Sequence, residues 1–236
     1  MRFMVIRRAG GGSETAGFPS PQLAGAVPAG RWLHPSARGF RLHCRGGTWS
    51  IEEGPFPEDE LVAGFALIDM PSREAALDWA RAWPRADGEG DVELEVRLAG
   101  CPGECAGFDT GAVPHLTPWV VLLKSDAAAE ADFAPPPAVI DRMNAHNAAA
   151  VQAGVALAGE GLRATAQGAR MRFRKGAARP AVIDGPFTEI KELVAGYWLI
   201  QTATRQQAID WVQAYPFPCL PDLTVELREL ALPAHA

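Results

Sequence analysis

The stretch "LVAGYWLIQTATRQQAIDWVQAY", Leu193 to Tyr215, decides the fold because it occurs twice. An earlier copy, "LVAGFALIDMPSREAALDWARAW" at Leu61 to Trp83, agrees with it at 11 of 23 positions without a gap. The likeness runs outward on both sides: "GPF" precedes each copy at Gly54 and Gly185, a Pro follows each at Pro84 and Pro216, and "VEL" closes each at Val92 and Val225. Repetition on this scale means two copies of one structural unit. The chain therefore divides into residues 1–100 and 115–236, joined by a Gly/Pro/Cys-rich linker at 101–114.

The second copy reads most clearly. "HLTPWVVLLK" from His115 is β-branched and apolar, fit for a buried strand. Apolar residues at helical spacing follow from Ala138 to Ala153, where Gly154 ends the helix. Strands are expected at Val155–Ala158, Ala169–Arg174 and Ala181–Asp184, then in "LVAGYWLIQTA". Thr204 with Gln207 forms a capping box that opens a helix to about Ala214, and "DLTVELREL" closes the copy as a strand. This order predicts an α+β fold, a ferredoxin-like split βαβ unit with its helices on one side of an antiparallel sheet. Val120, Leu122, Val194 and Trp198 cannot all face those helices, so a second sheet from the other copy is expected to cover the remaining face. In the first copy only about 22 Gly-, Pro- and Ser-rich residues separate "RFMVIRR" from "RWLHPSARGF", so its first helix is missing or reduced to a turn near Gln22 to Val27.

Composition narrows the function. Of 236 residues 48% are hydrophobic, enough for substantial cores, and the formal net charge is -6. Residues 1–110 carry 11 basic and 16 acidic side chains and the rest carry 11 and 12, so neither half has the basic balance of a general nucleic-acid binder. The apolar run Phe3 to Ile6 is too short for a signal-peptide core, and no membrane-length apolar run follows, so a cytoplasmic protein is expected. Cys101 and Cys105 are spaced C-x3-C without a second close pair, and they read as linker residues, with no metal site and no cofactor expected. Phosphate-binding glycine loops, a serine elbow and a zinc-binding helical His pair are all absent from the sequence.

With these residues in view, "DGPFTEIKELVAGYWLI", preceded by "AGVALAGEGLRATAQGARMRF", closely resembles the YCII-related, DGPF-type domain. The resemblance implies two tandem copies whose ferredoxin-like sheets face each other as a dimeric α+β barrel, here closed within one chain as a monomeric pseudo-dimer. It further implies either a small-molecule-binding barrel, with acid–base chemistry in the groove, or a non-catalytic protein-interaction or regulatory module linked to sigma-factor-dependent transcription. The family's Asp corresponds to Asp184, which the first copy replaces with Glu53, and His146 stands where members commonly carry a Tyr.

Asp184 precedes Gly185 and Pro186, and Pro186 has no N–H to close an ordinary Asx turn. Its carboxylate is left with two roles: reaching Phe187 or beyond to cap the turn, or facing a cleft as acid or base. His146 lies on the flank of its helix's apolar stripe, with an ordinary pKa of about 6.5, and is the candidate proton-transfer partner of Asp184. Asn147, Glu160, Phe187 and Trp198 are candidate ligand contacts, and Arg163 is a candidate clamp for a carboxylate or phosphate. The expected ligand is a small anionic or aromatic metabolite, with neither nucleic acid nor membrane as partner. Arg170, Arg172 and Arg174 alternate along one strand and are expected to form a solvated face.

Overall fold

The computed structural model describes residues 1–100, 108–109, 115–218 and 221–231. Most of the expected linker, with Cys101, Cys105 and also Cys219, lies outside the described residues. The first half contains β1 (Arg2–Arg8), α1 (Pro21–Ala26), β2 (Gly30–Leu33), β3 (Phe40–Arg45), β4 (Thr48–Glu53), β5 (Val62–Asp69), α2 (Arg73–Arg81) and β6 (Val92–Leu98). A two-residue strand, β7 (Phe108–Asp109), precedes the second half. That half contains β8 (Thr117–Lys124), α3 (Ala127–Glu130), α4 (Pro137–Gln152), β9 (Ala156–Gly161), β10 (Ala169–Phe173), β11 (Ala181–Asp184), β12 (Val194–Thr202), α5 (Arg205–Ala214) and β13 (Leu223–Ala231).

Local chemistry sets the helix boundaries. Thr204 and Gln207 close the expected capping box at the start of α5, and Ser72 caps α2 through the Ala75 N–H. Pro137 sits in the first turn of α4, where its missing N–H costs nothing. In the first half the Pro/Gly-rich segment yields only the six-residue α1, capped by Ser20, so the first-helix position is reduced as its composition predicts.

The architecture is mixed α/β: a large, open antiparallel sheet with few helices. Its strand path runs β11-β10-β6-β1-β5-β2-β13-β8-β12-β9-β7, with β3 and β4 branching from β13. Alternating side chains distribute the core into three apolar clusters. Met4 and Ile6 from β1 join Val120 and Leu122 from β8, together with Val194, in a central cluster shared by both halves. Phe3 and Val5 face the other way, toward α2 and the first-half cluster. Trp119, Val121, Trp198 and Ile200 pack with α4 and α5 in the second-half cluster. Trp198 thus lies on the helix side, apart from Val120, Leu122 and Val194.

The hairpins cross over. β3 and β4 leave the first half and pair with β13 of the second, whereas β10 and β11 leave the second half and pair with β6 of the first. This corrects the reading of the alternating arginines. Arg172 and Arg174 are exposed, but Arg170 is buried between Glu95 (2.9 Å) and Glu192 (3.0 Å), because the β6 pairing carries its side chain inside. Arg41 holds the equivalent place, bound to Glu226 (3.0 Å) and Glu60 (2.7 Å).

The crossover explains the "GPF" corners. A Cβ on Gly185 would fall 1.9 Å from the Thr165 carbonyl oxygen, and one on Gly54 would fall 1.9 Å from that of Ser36. Only a residue without a side chain permits this approach. The Phe187 N–H donates to Thr165 Oγ1 (3.1 Å) and the Phe56 N–H to Ser36 Oγ (3.2 Å). The Phe187 ring covers the Arg170 guanidinium at 4.4 Å, and Phe56 covers Arg41 at 4.1 Å. Each corner therefore anchors a hairpin over a buried arginine.

Candidate functional site

The second half holds a partly open cavity of about 230 Å³ between α4 and the sheet. Its floor is the facing strand pair β9 and β12, where Gly161 lies directly opposite Gly196 and Gly159 opposite Trp198. Met143 and Asn147 descend from α4, while Trp198 and Tyr215 form an aromatic wall with ring centroids 4.7 Å apart. The wall stands because Tyr215 ends α5 and packs against Phe217 and Trp211 as well.

The polar content is small and poised. Asn147 is 8% exposed and Tyr215 1% exposed. Asn147 Oδ1 and the Tyr215 hydroxyl are both buried, and neither forms a hydrogen bond of good geometry among the described residues, although Tyr215 interacts with the Asn147 and Trp198 side chains. Such groups cost free energy when left unpaired, and a ligand that satisfies them recovers it. Burial pushes the Tyr215 phenol upward against the opposing side-chain hydrogen bonds with Trp198 and Asn147, so it stays protonated at neutral pH.

The anticipated residues divide. Asn147 and Trp198 line the cavity. Glu160 touches it through the strand backbone, its carbonyl lying 3.2 Å from where a Gly196 Cβ would be. Its cross-strand partner is Tyr197, of the central cluster, and its carboxylate lies 4.0 Å from Arg2 Nη1. Burial raises the Glu160 pKa against the pull of Arg2. Gly159, Glu160 and Gly161 carry β9 beyond the strand expected at Val155–Ala158, because pairing with β12 runs through all three.

Arg163 is engaged by Asp132: Nε reaches Oδ1 at 3.0 Å, Nη2 bonds Oδ2, and Asp132 also accepts from Gln167 (3.0 Å). Burial opposes the ionised Asp132 carboxylate, but Arg163, the Ala164 N–H and Gln167 hold its pKa down. The guanidinium fork expected to hold a ligand anion thus ties α3 to the loop after β9. His146 packs edge-on against Trp211 (5.6 Å) and Tyr215 (5.1 Å), and burial lowers its pKa, favouring the neutral ring.

Asp184 and Phe187 lie away from this cavity. Asp184, with its side chain 73% exposed, bonds Arg73 at the start of α2 in the other half, and Glu53 bonds Arg205 at the start of α5 in the same way. Asp184 neither caps its own turn nor faces His146, since β11 joins the first half's side of the sheet whereas α4 packs with the second-half core. No group of three or more His, Cys, Asp or Glu suited to a metal occurs among the described residues. Tyr215, Gly161 and Gly196 were not anticipated as site residues, although they follow from extending the two-copy comparison.

Residues 118–223 match the YCII-related domain, a match lying wholly within the second half and containing the cavity's floor, helix wall and aromatic wall. No curated protein matches the chain. No described helix is long and apolar enough to cross a membrane.

Proposed function

We propose that the YCII-related second half is a small-molecule-binding unit and that the first half is its degenerate tandem partner, the two forming an α+β barrel within one chain. The shared central cluster and the reciprocal hairpin exchange support the barrel. One observation carries the binding reading: a mostly apolar cavity between α4 and β9/β12 is lined by Asn147 and Tyr215, whose buried Oδ1 and hydroxyl have no well-formed hydrogen bond among the described residues beyond their contact with each other and with Trp198. Concave, mostly apolar sites with a few convergent polar groups are the usual form of ligand pockets.

Of the two ligand classes expected from sequence, the aromatic one fits better. Asp126 and Asp132 line the cavity, and Arg163 and Lys124 are committed elsewhere, Lys124 to the Glu60 carbonyl (2.9 Å) and Glu226 (3.4 Å). Among the described residues, a bound anion would meet carboxylates without a free cation. Binding at this cavity, and not proton transfer at Asp184, is the activity the geometry favours. A purely interactive role would draw on sheet surface bared by the reduced first helix, but Leu23, Val27, Trp32 and Phe18 cover that surface.

A thermal-shift screen of neutral aromatic and anionic metabolites tests the reading. A ligand at about a hundred times its dissociation constant stabilises by about 2.7 kcal/mol, a shift of several degrees. The wild-type chain should show that shift and Asn147→Leu should lose about half of it. Shifts that Asn147→Leu leaves intact would place binding elsewhere.

A further inference from the structure

The two halves treat the same position differently. In the first half, the residue opposite the glycine of "LVAG" is Trp32, paired with Gly64. In the second half it is Gly161, paired with Gly196. The Trp32 indole lies flat on its own strand pair: a Cβ on Gly64 would come within 2.6 Å of the ring and one on Gly30 within 2.9 Å. Phe18 meets the indole edge-on at 5.4 Å and Trp83 at 6.0 Å. Trp83 is the repeat equivalent of Tyr215, the cavity wall of the second half.

We infer that the second-half cavity takes a planar aromatic molecule of about indole size, laid on the Gly161–Gly196 strand pair as Trp32 lies on Gly64, with a ring N–H or hydroxyl turned toward Asn147. This rests on the reading of the cavity as a ligand site. A facing pair of glycines leaves no Cβ on either strand, so a flat ring can contact both peptide backbones over its whole face. The volume agrees: a cavity of about 150 Å³ suffices for benzene, and this one is about 230 Å³. The equivalence is offset on one side, because Trp198 and Phe108 cover Gly159 where the first half has Ala66 opposite Gly30. The bound ring therefore lies over Gly161 and Gly196, beside Trp198, and stands against Tyr215 as Trp32 stands against Trp83. In the first half the protein's own side chain occupies this place; in the second a ligand does.

Calorimetric titration of the full chain with indole, benzoate and cyclohexanol as probes tests the inference, using wild type, Gly161→Trp, Gly161→Phe and Asn147→Leu. Gly161 is a strand residue outside the set of positive-φ glycines, so its backbone accepts a side chain. Wild type should bind indole at one site per chain in preference to the other probes. Gly161→Trp, which plugs the cavity as Trp32 plugs its counterpart, should abolish binding, and Asn147→Leu should weaken it about tenfold. If Gly161→Trp does not fold, the smaller plug Gly161→Phe gives the same readout. If cyclohexanol or benzoate binds better than indole and the plugs remove that binding, the aromatic inference is overturned while the cavity remains a ligand site. If no probe binds, or binding ignores both plugs and Asn147→Leu, the inference and the ligand-site reading fall together.

Discussion

Trp32 stands directly opposite Gly64 across β2 and β5, its indole closed over a glycine that could carry no side chain beneath it. With Leu23, Val27 and Phe18, Trp32 covers the sheet where the first half's helix is reduced to α1. Trp32 is 5% exposed and packs with Phe18, Trp83 and the short α1 in one cluster. Trp32→Ala should therefore cost about 3–5 kcal/mol, measured by equilibrium denaturation. A cost below about 1 kcal/mol would mean that the first half is not held closed by this ring.

The Gly185 corner predicts a backbone effect. Gly185→Ala would drive a Cβ to 1.9 Å from the Thr165 carbonyl oxygen, and Gly54→Ala would do the same at Ser36. Each should destabilise by about 1–3 kcal/mol or more, since rigid backbone has to move. Equal stability of wild type and Gly185→Ala in urea would contradict the close packing of corner on loop.

Asp184 behaves differently. Its bond to Arg73 links the halves on an exposed surface, with side chains 73% and 40% exposed. Exposed ion pairs contribute about 0–1 kcal/mol and weaken with salt. Asp184→Asn should lower stability by no more than that, less so at high salt, and should leave ligand binding at the second-half cavity unchanged. A large loss of binding in Asp184→Asn would reinstate Asp184 as a site residue.

The interior charges predict acid lability. Glu95 and Glu226 are fully buried; burial alone would raise both carboxyls, but Arg97, Arg170 and Arg8 around Glu95, and Lys124, Arg228 and Arg41 around Glu226, hold both pKa values below normal. A carboxyl depressed on folding contributes stability that is fully present above its unfolded value of about 4.3 and is lost as pH falls through the lower folded value. Stability should thus drop below about pH 4.3, with a shallower slope in Glu95→Gln or Glu226→Gln. Each substitution should also cost about 3–5 kcal/mol at neutral pH, because it leaves buried arginines without a counter-charge. A slope unchanged in both variants would show that other groups govern acid unfolding.

Much of this architecture was legible because the signals were local and repeated. The doubled "LVAG" strand, the Thr204 capping box and the Pro/Gly-rich segment around Pro21 each fix an element through their own chemistry. The hairpin exchange was not legible, since strand periodicity does not tell whether β10 pairs within its own half or with β6 of the other. The misread Arg170 follows from that: alternation gives the face, and only the neighbouring strand decides whether the face is buried. Asp184 drew attention through the turn chemistry of Pro186, and nothing local reveals that Arg73, 111 positions away, is its partner. Asn147 and Trp198 were reachable from helix and strand spacing. Gly161 and Tyr215 required reading the repeat for its differences, where Gly replaces Trp32 and Tyr replaces Trp83.

Whether the second half holds a small-molecule cavity is read out by a proton–nitrogen correlation titration of the full chain with indole. Glycine amides resolve well and mark both candidate floors. Resonances of Gly159, Gly161 and Gly196, with the Asn147 side-chain amide, should move together and saturate at one indole per chain, while Gly30 and Gly64 stay in place. Shifts centred on Gly30 and Gly64, on the Asp184 corner, or scattered without saturation would contradict the account.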